Sequence, residues 1–359
     1  MSLTTLAIIG LAFSLDLLIA EPPTAAHPVA WFGRLVGTLD REWRPDDRGQ
    51  RAVGVAIAVG APLIPAAVAG GVVLAATDAH PTAGGVAAAV VLFLTTSLRS
   101  LLDLTEEVIA ATDAEPQNKG SDEGDFDQAR ERIRGLVGRD TSTLSAGQLR
   151  SAAVESAAEN LADGLVATLL PFAVLAPISL PAAAAAAAWV KGVNTLDSML
   201  GYPSKPIGTA SARLDDLVMF VPARLTAAAI AVAAADPFAL ARARQWARAP
   251  PSPNSGWPMA TLACVLGVRL EKPAVYVLNP GADLPTLADG ERAISLVGLA
   301  AVVSVVVAAV LALVVDELAA ALAVDRGGAA VTGLALASVG GSALVLLGRW
   351  ATEVSPGWR

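Results

Sequence analysis

The chain has 359 residues, of which 54% are hydrophobic and only 16% charged, with a mean hydropathy of +0.58. That balance points to an integral membrane protein with polar loops, and a net charge of −8 argues against a nucleic-acid partner. One cysteine, Cys264, rules out an internal disulfide, and two histidines cannot make a His-rich metal site.

The apolar runs lack the alternation of a closed barrel, so the expected class is all-α and polytopic. Seven apolar segments can be drawn, at about 3–20, 53–76, 84–102, 164–190, 217–235, 293–315 and 329–348. Most approach the ~20 residues that cross a bilayer. The first lacks a basic leader and contains Asp16, so it reads as a retained helix. Loops on one side carry five, six, six and two Lys or Arg; those on the other carry none, three and one. Basic residues favour the inner side, which predicts an outer N-terminus, a cytoplasmic C-terminus and polar helices and loops at the cytoplasmic face. The segment 164–190 is long and holds Pro171, Pro177 and Pro181. It is either one span or a broken or re-entrant hairpin, with 180–190 as its own Ala-rich helix. A hairpin returns Lys191–Asp216 to the inner face. One domain, 1–359, is expected, with a cytoplasmic loop and polar helix over 105–163, an acidic linker over 113–127 and a second long polar loop over 236–292.

In chain order, Glu21-Pro-Pro-Thr-Ala-Ala-His27 follows the first span. It is either an interfacial turn or a place where Glu21 and His27 act as acid, base or ligand. Arg99 and Asp103, four apart at the inner end of the third span, are either a functional intramembrane charge pair or a structural ion pair near the interface. Ser145 and Gln148 have capping-box spacing and open a helix. On it Glu155, Ser156, Glu159, Asn160 and Asp163 share one arc. Glu155, Glu159 and Asp163 repel one another, so a metal ion, a basic segment or a substrate should face them; the alternative is a solvated acidic face. Lys191, Asn194, Thr195 and Ser198 form a polar stripe, ended by Gly201-Tyr-Pro. Arg213 and Arg224 share an azimuth if one helix carries both. Asp215 and Asp216 pair with these arginines or bind a divalent cation. The loop 249–258, with Ser252 and Asn254, is either plain surface or a cradle for phosphate or amide groups. There is no P-loop, G-x-G-x-x-G, nucleophile elbow, zinc spacing or internal repeat.

Taken together, EPPTAAHPVAWFG, GRDTSTLSAGQLRSAAVESAAENLADG, VNTLDSMLGY, ASARLDD with VPARLTA, and SPNSGWPMATLACVLGVRLEKP resemble the CobD/CbiB family, the adenosylcobinamide-phosphate synthases. The acidic linker looks like an insertion, and 168–171 lacks an aromatic residue expected there. The resemblance implies a membrane enzyme that joins the f-side-chain carboxylate of adenosylcobyric acid to (R)-1-amino-2-propanol phosphate or the free amino alcohol. Amide formation from a free carboxylate is uphill in water, which implies ATP and magnesium and no tightly bound prosthetic group. In this reading Glu155, Glu159, Asp163 and Asp215 or Asp216 hold magnesium. Arg139, Lys191 and Arg213 bind phosphate, with Asp140 and Thr141 beside them. Glu21, Asn160, Asn194, Ser252 and Asn254 orient the substrates, and His27 or Asp197 takes the amine proton. Partners would be the two substrates, the lipid bilayer and other late corrinoid-pathway enzymes. A transporter or scaffold is the competing class; a transporter predicts internal repeats and charges deep in several spans, which the sequence lacks.

Overall fold

The computed structural model describes residues 2–114, 131, 133 and 143–325. Arg139, Asp140, Thr141, residues 115–127 and the apolar run 329–348 lie outside the described residues. The chain divides into two units, 1–313 and 314–359; in the second, 314–325 are the end of a helix.

The helix ends follow local chemistry. α1 (Ser2–Ile19) leaves its helix through Ala20 at φ 54. α2 (Pro28–Leu39) starts on Pro28 with His27 as N-cap. α3 (Asp47–Gly60) is capped by Asp46, whose carboxylate accepts the Gly49 N–H. α4 (Leu63–Ala79), α5 (Pro81–Thr95) and α6 (Leu98–Ala111) follow. α7 (Ala146–Leu161) opens on the expected capping box between Ser145 and Gln148. It passes through a π-turn (Ala162–Val166) into α8 (Ala167–Leu175). α9 (Leu180–Leu200) is capped by Ser179 and ends at Gly201, as the Gly-Tyr-Pro signal predicts. Then come α10 (Thr209–Val218), α11 (Phe220–Ala233), α12 (Ala239–Ala243) and α13 (Gly256–Leu266). Gly267 ends α13 in the left-handed conformation at φ 71. An antiparallel hairpin, β1 (Leu270–Lys272) with β2 (Tyr276–Leu278), precedes α14 (Leu287–Asp325).

Small residues let the helices approach closely. Ala183, Ala184, Ala187 and Ala188 of α9 are buried, and a Cβ on Gly70 of α4 would meet Ala185 Cβ at 3.1 Å and the Pro181 carbonyl at 3.2 Å. Such contacts suit helices in lipid, where packing rather than water exclusion joins them. Phe172, Leu92, Ile230, Met259 and Leu262 fill the main core. Val68, Val72 and Leu74 on α4 and Val302, Val306 and Val310 on α14 face outward, as apolar residues facing lipid do.

Among the described residues four helical runs are long and apolar enough to cross a membrane: Asp47–Ala79, Pro81–Ala111, Ala146–Leu175 and Leu287–Leu322. A fifth exists if Pro206–Val218 and Phe220–Ala233, bent by 47°, count as one. Among the described residues, then, four or five runs rather than seven meet that test. The 164–190 segment divides into two helices joined by a turn after Leu175. The break at Met219 also overturns a common azimuth for Arg213 and Arg224. The stretch 236–292 is more than a polar loop, because GWPMATLACVL folds as a nearly wholly buried helix.

Candidate functional site

Backbone irregularities on three sides meet at one place. α5 stops at Thr95, and Asp16 of α1 caps the start of α6, accepting the Leu98 N–H at 3.2 Å and the Arg99 N–H at 2.9 Å. The Ser97 N–H donates to the Gly164 carbonyl at 3.0 Å, within the π-turn. A π-turn shifts the hydrogen-bond ladder from i+4 to i+5, and such turns recur at functional sites. On one side of this junction α5 and 164–175 are almost entirely apolar; on the other, α6 and α7 mix charges with apolar residues.

At the junction Asp163 Oδ2 accepts from Asn194 Nδ2 at 3.1 Å, so α9 brings its polar stripe back to the π-turn. Asn194 is also beside Asp215, whose Oδ1 is buried with no hydrogen-bond partner. Asp163, Asp197 and Asp216 lie within electrostatic reach of Asp215. Lys191 lies in reach of Asp163 and Glu21, and His27 in reach of Glu21 and Lys191. Arg213 stands 4.0 Å from Asp216, and the Ser252 hydroxyl hydrogen-bonds the same carboxylate. Five stretches distant in sequence thus gather Glu21, His27, Asp163, Lys191, Asn194, Asp197, Arg213, Asp215, Asp216 and Ser252. Burial, with the charge of Asp216, pushes the Asp197 carboxyl up to about 6. Burial pushes the His27 imidazole below its ordinary value.

Of the other expected site residues, Glu155 is engaged elsewhere, while Glu159 and Asn254 border the junction. Glu155 is buried, accepting from Ser151 Oγ at 2.9 Å and from the Tyr276 hydroxyl at 2.6 Å. It anchors the β-hairpin to α7. Glu159 is half-buried, in reach of Asp163, Asp197, Glu155 and Lys272. Asn160 Nδ2 donates to the Ser156 carbonyl at 3.0 Å and to Ser156 Oγ at 2.9 Å. Asn254 accepts from Arg224 Nη1 at 2.6 Å and donates to the Asp216 carbonyl at 2.6 Å. Its amide is a strut rather than a free substrate contact, and it holds Ser252 beside Asp216. The Arg224 guanidinium also lies over the Phe220 ring, 3.7 Å from its centroid. The Thr195 and Ser198 hydroxyls donate to carbonyls of their own helix. Arg99 and Asp103 form the expected pair at 3.2 Å, in an exposed position. Tyr276 and Lys272 escaped the sequence reading. The signal in the sequence was three carboxylates on successive turns with no Lys or Arg between them, which call for a partner from elsewhere in the fold.

Among the described residues no three of His, Cys, Asp and Glu lie close enough together to hold a metal ion. The trio Glu155, Glu159 and Asp163 therefore forms no all-protein cage; eight helical residues span about 12 Å, too far for one ion. Magnesium ordinarily takes one or two carboxylates and completes its shell with water and substrate phosphate. The orphaned Asp215 Oδ1 beside Asp163 fits that mode of binding.

Comparison with known proteins places this geometry in a lineage. The family described as CobD/Cbib protein matches residues 9–306. A probable cobalamin biosynthesis protein CobD of Methanothrix thermoacetophila is 33% identical over 311 residues, 84% of this chain and 94% of the relative. The cobalamin biosynthesis protein CobD of Geobacter metallireducens is 37% identical over 294 residues, covering 79% and 86%. The cobalamin biosynthesis protein CbiB of Salmonella typhi is 33% identical over 311 residues, covering 82% and 91%. No solved structure matches.

Proposed function

The chain belongs to the CobD/CbiB family, and from that premise we propose that it is the amide-forming ligase of cobalamin biosynthesis, adenosylcobinamide-phosphate synthase. It would condense the f-side-chain carboxylate of adenosylcobyric acid with (R)-1-amino-2-propanol phosphate, driven by ATP. The observation that carries this reading is the junction itself. Carboxylates, an amide, a lysine and an arginine from separate segments converge beside a buried, unpartnered Asp215 oxygen. A structural ion-pair network would satisfy that atom; a site awaiting ligands need not.

The residues divide the task by charge. Arg213 and Lys191 bind phosphate oxygens, the first as a fork and the second as a point charge. Asp163 and Asp215 would hold magnesium, which neutralises phosphate charge while the carboxylate is activated. Activation converts the carboxylate to an acyl phosphate with release of ADP, or to an acyl adenylate with release of pyrophosphate. The amine then attacks the acyl carbon and expels phosphate or AMP. An amine that arrives as an ammonium must first lose a proton, and Asp197, with a value near 6, is matched to take it near neutral pH. Asn194, held by Asp163, and Ser252, held by Asp216, orient the substrates.

The junction also supports a place for the site. Ala146–Leu175 is long enough to cross as a whole, but its strictly apolar part, 164–175, and the apolar part of α9, 180–190, are two legs of about a dozen residues each, short of the ~20 that cross a bilayer. We read them as a re-entrant hairpin that returns Lys191 to the face it left at Asp163, with the active site at the cytoplasmic membrane boundary. The test uses protein purified in detergent with adenosylcobyric acid, aminopropanol phosphate, ATP and magnesium. Product with ADP supports an acyl phosphate, and product with AMP an adenylate. Corrinoid binding without product, in the presence of active control enzymes, would turn the reading towards a scaffold or transporter.

A further inference from the structure

His27 is both a helix cap and a member of the polar junction, and its two nitrogens do different work. Nδ1 accepts the Val29 N–H at 3.1 Å at the start of α2. A nitrogen that accepts a backbone N–H carries its lone pair there, so the single proton of the neutral ring sits on Nε2. The residue is only 7% exposed, and Nε2 is buried with no hydrogen-bond partner. A buried N–H without an acceptor is costly, and an arriving acceptor relieves that cost. The charged groups in reach are Glu21, exposed on the irregular Pro-rich segment, and Lys191 on α9. Lys191 attracts an anion to the neighbourhood of this donor, against the opposing charge of the exposed Glu21.

We propose that His27 is a substrate-binding hydrogen-bond donor, its Nε2–H taking an anionic carboxylate or phosphate oxygen beside Lys191, and that it is not the proton acceptor of the reaction. The substrate's identity rests on the ligase reading given above; the assignment of the donor nitrogen does not. The same geometry withdraws His27 as a base, because its one basic nitrogen is spent on the Val29 N–H. Burial, which holds the ring neutral, agrees with this. Asp197 then remains for the proton.

The chain has two histidines, so protein labelled with ¹⁵N-histidine carries two imidazoles, and His80→Gln assigns them. The expected spectrum near neutral pH shows His27 uncharged with the proton on Nε2. Aminopropanol phosphate alone should move that signal if the oxygen is phosphate; adenosylcobyric acid alone should move it if the oxygen is carboxylate. In kinetics His27→Asn retains an N-cap acceptor but has no donor at the Nε2 position. It should melt like the wild type and lose about ten- to a hundred-fold in kcat/KM. His27→Gln, whose amide reaches the Nε2 position, should recover part of the loss. An imidazolium or an Nδ1–H tautomer, no response to either probe, or full activity in His27→Asn would each overturn the proposal. Should the wild type form no product, the ligase reading fails, while the tautomer and the probe responses still decide this one.

Discussion

Glu155 and Asp163 lie eight residues apart on one helical run and end in different surroundings. Glu155 is tied by Ser151 and Tyr276 to the β-hairpin, whereas Asp163 meets Asn194 at the junction. Tyr276→Phe should therefore lower stability by about 1–3 kcal/mol, because it removes a donor to a buried carboxylate; thermal unfolding in detergent measures this. Asp197 gives a pH-dependent test. Its folded value, about 6, is raised above the ordinary 3.8, so the folded state binds this proton more tightly than the unfolded one. The associated stability is fully present below 3.8 and is lost as pH rises through about 6. Asp197→Asn removes the cost of the buried charge, so its melting temperature should exceed the wild type's above pH 6 and the gap should close in acid. Its activity should fall about a hundred-fold, with the loss of the wild-type rise in rate through about pH 6. A variant that keeps that rise would show that another group takes the proton.

At the level of elements, the site depends on where helices break. The π-turn at Ala162–Val166 frees the Gly164 carbonyl for Ser97, and the bend at Met219 separates Arg213 from Arg224. α10 carries Asp215 and Asp216 and starts immediately after Gly208, where a Cβ would lie 1.6 Å from the Leu200 carbonyl. Gly208→Ala must displace α10 relative to the end of α9. A displacement near 1 Å at a catalytic group costs about a hundred-fold in rate, so this variant should fold and lose activity on that scale. Ser145→Ala has a different signature: it removes the cap of α7 and should cost about 1 kcal/mol of stability, with activity retained in the protein that remains folded.

Across the first unit, the re-entrant reading of 164–190 puts the loops after α2 and α9 on one face. Lys205 pairs with Asp40 at 2.5 Å, so the loop after α9 meets the segment after α2. Assigning those two loops to opposite sides, as a single span over 164–190 requires, conflicts with this contact. Single cysteines at Thr24 and Ser204, introduced after Cys264→Ala, should react with an impermeant thiol reagent from the same side of the membrane. Labelling from opposite sides would break the hairpin reading and with it the shared site.

The helical class, the capping box at Ser145, the Gly201 stop and the set of polar stretches were legible in the residues themselves, because caps and periodicity act over a few neighbouring residues. The family was legible too, since its motifs are runs of adjacent residues. The division of labour was not. Whether Glu155 faces a metal or a tyrosine depends on a hairpin more than a hundred residues away. Whether Asn254 is a ligand or a strut depends on Arg224. Whether 164–190 is one helix or two that bring Asn194 back to Asp163 depends on how those helices pack. A buried polar atom takes its partner from whatever the fold brings near, and only tertiary structure supplies that neighbour.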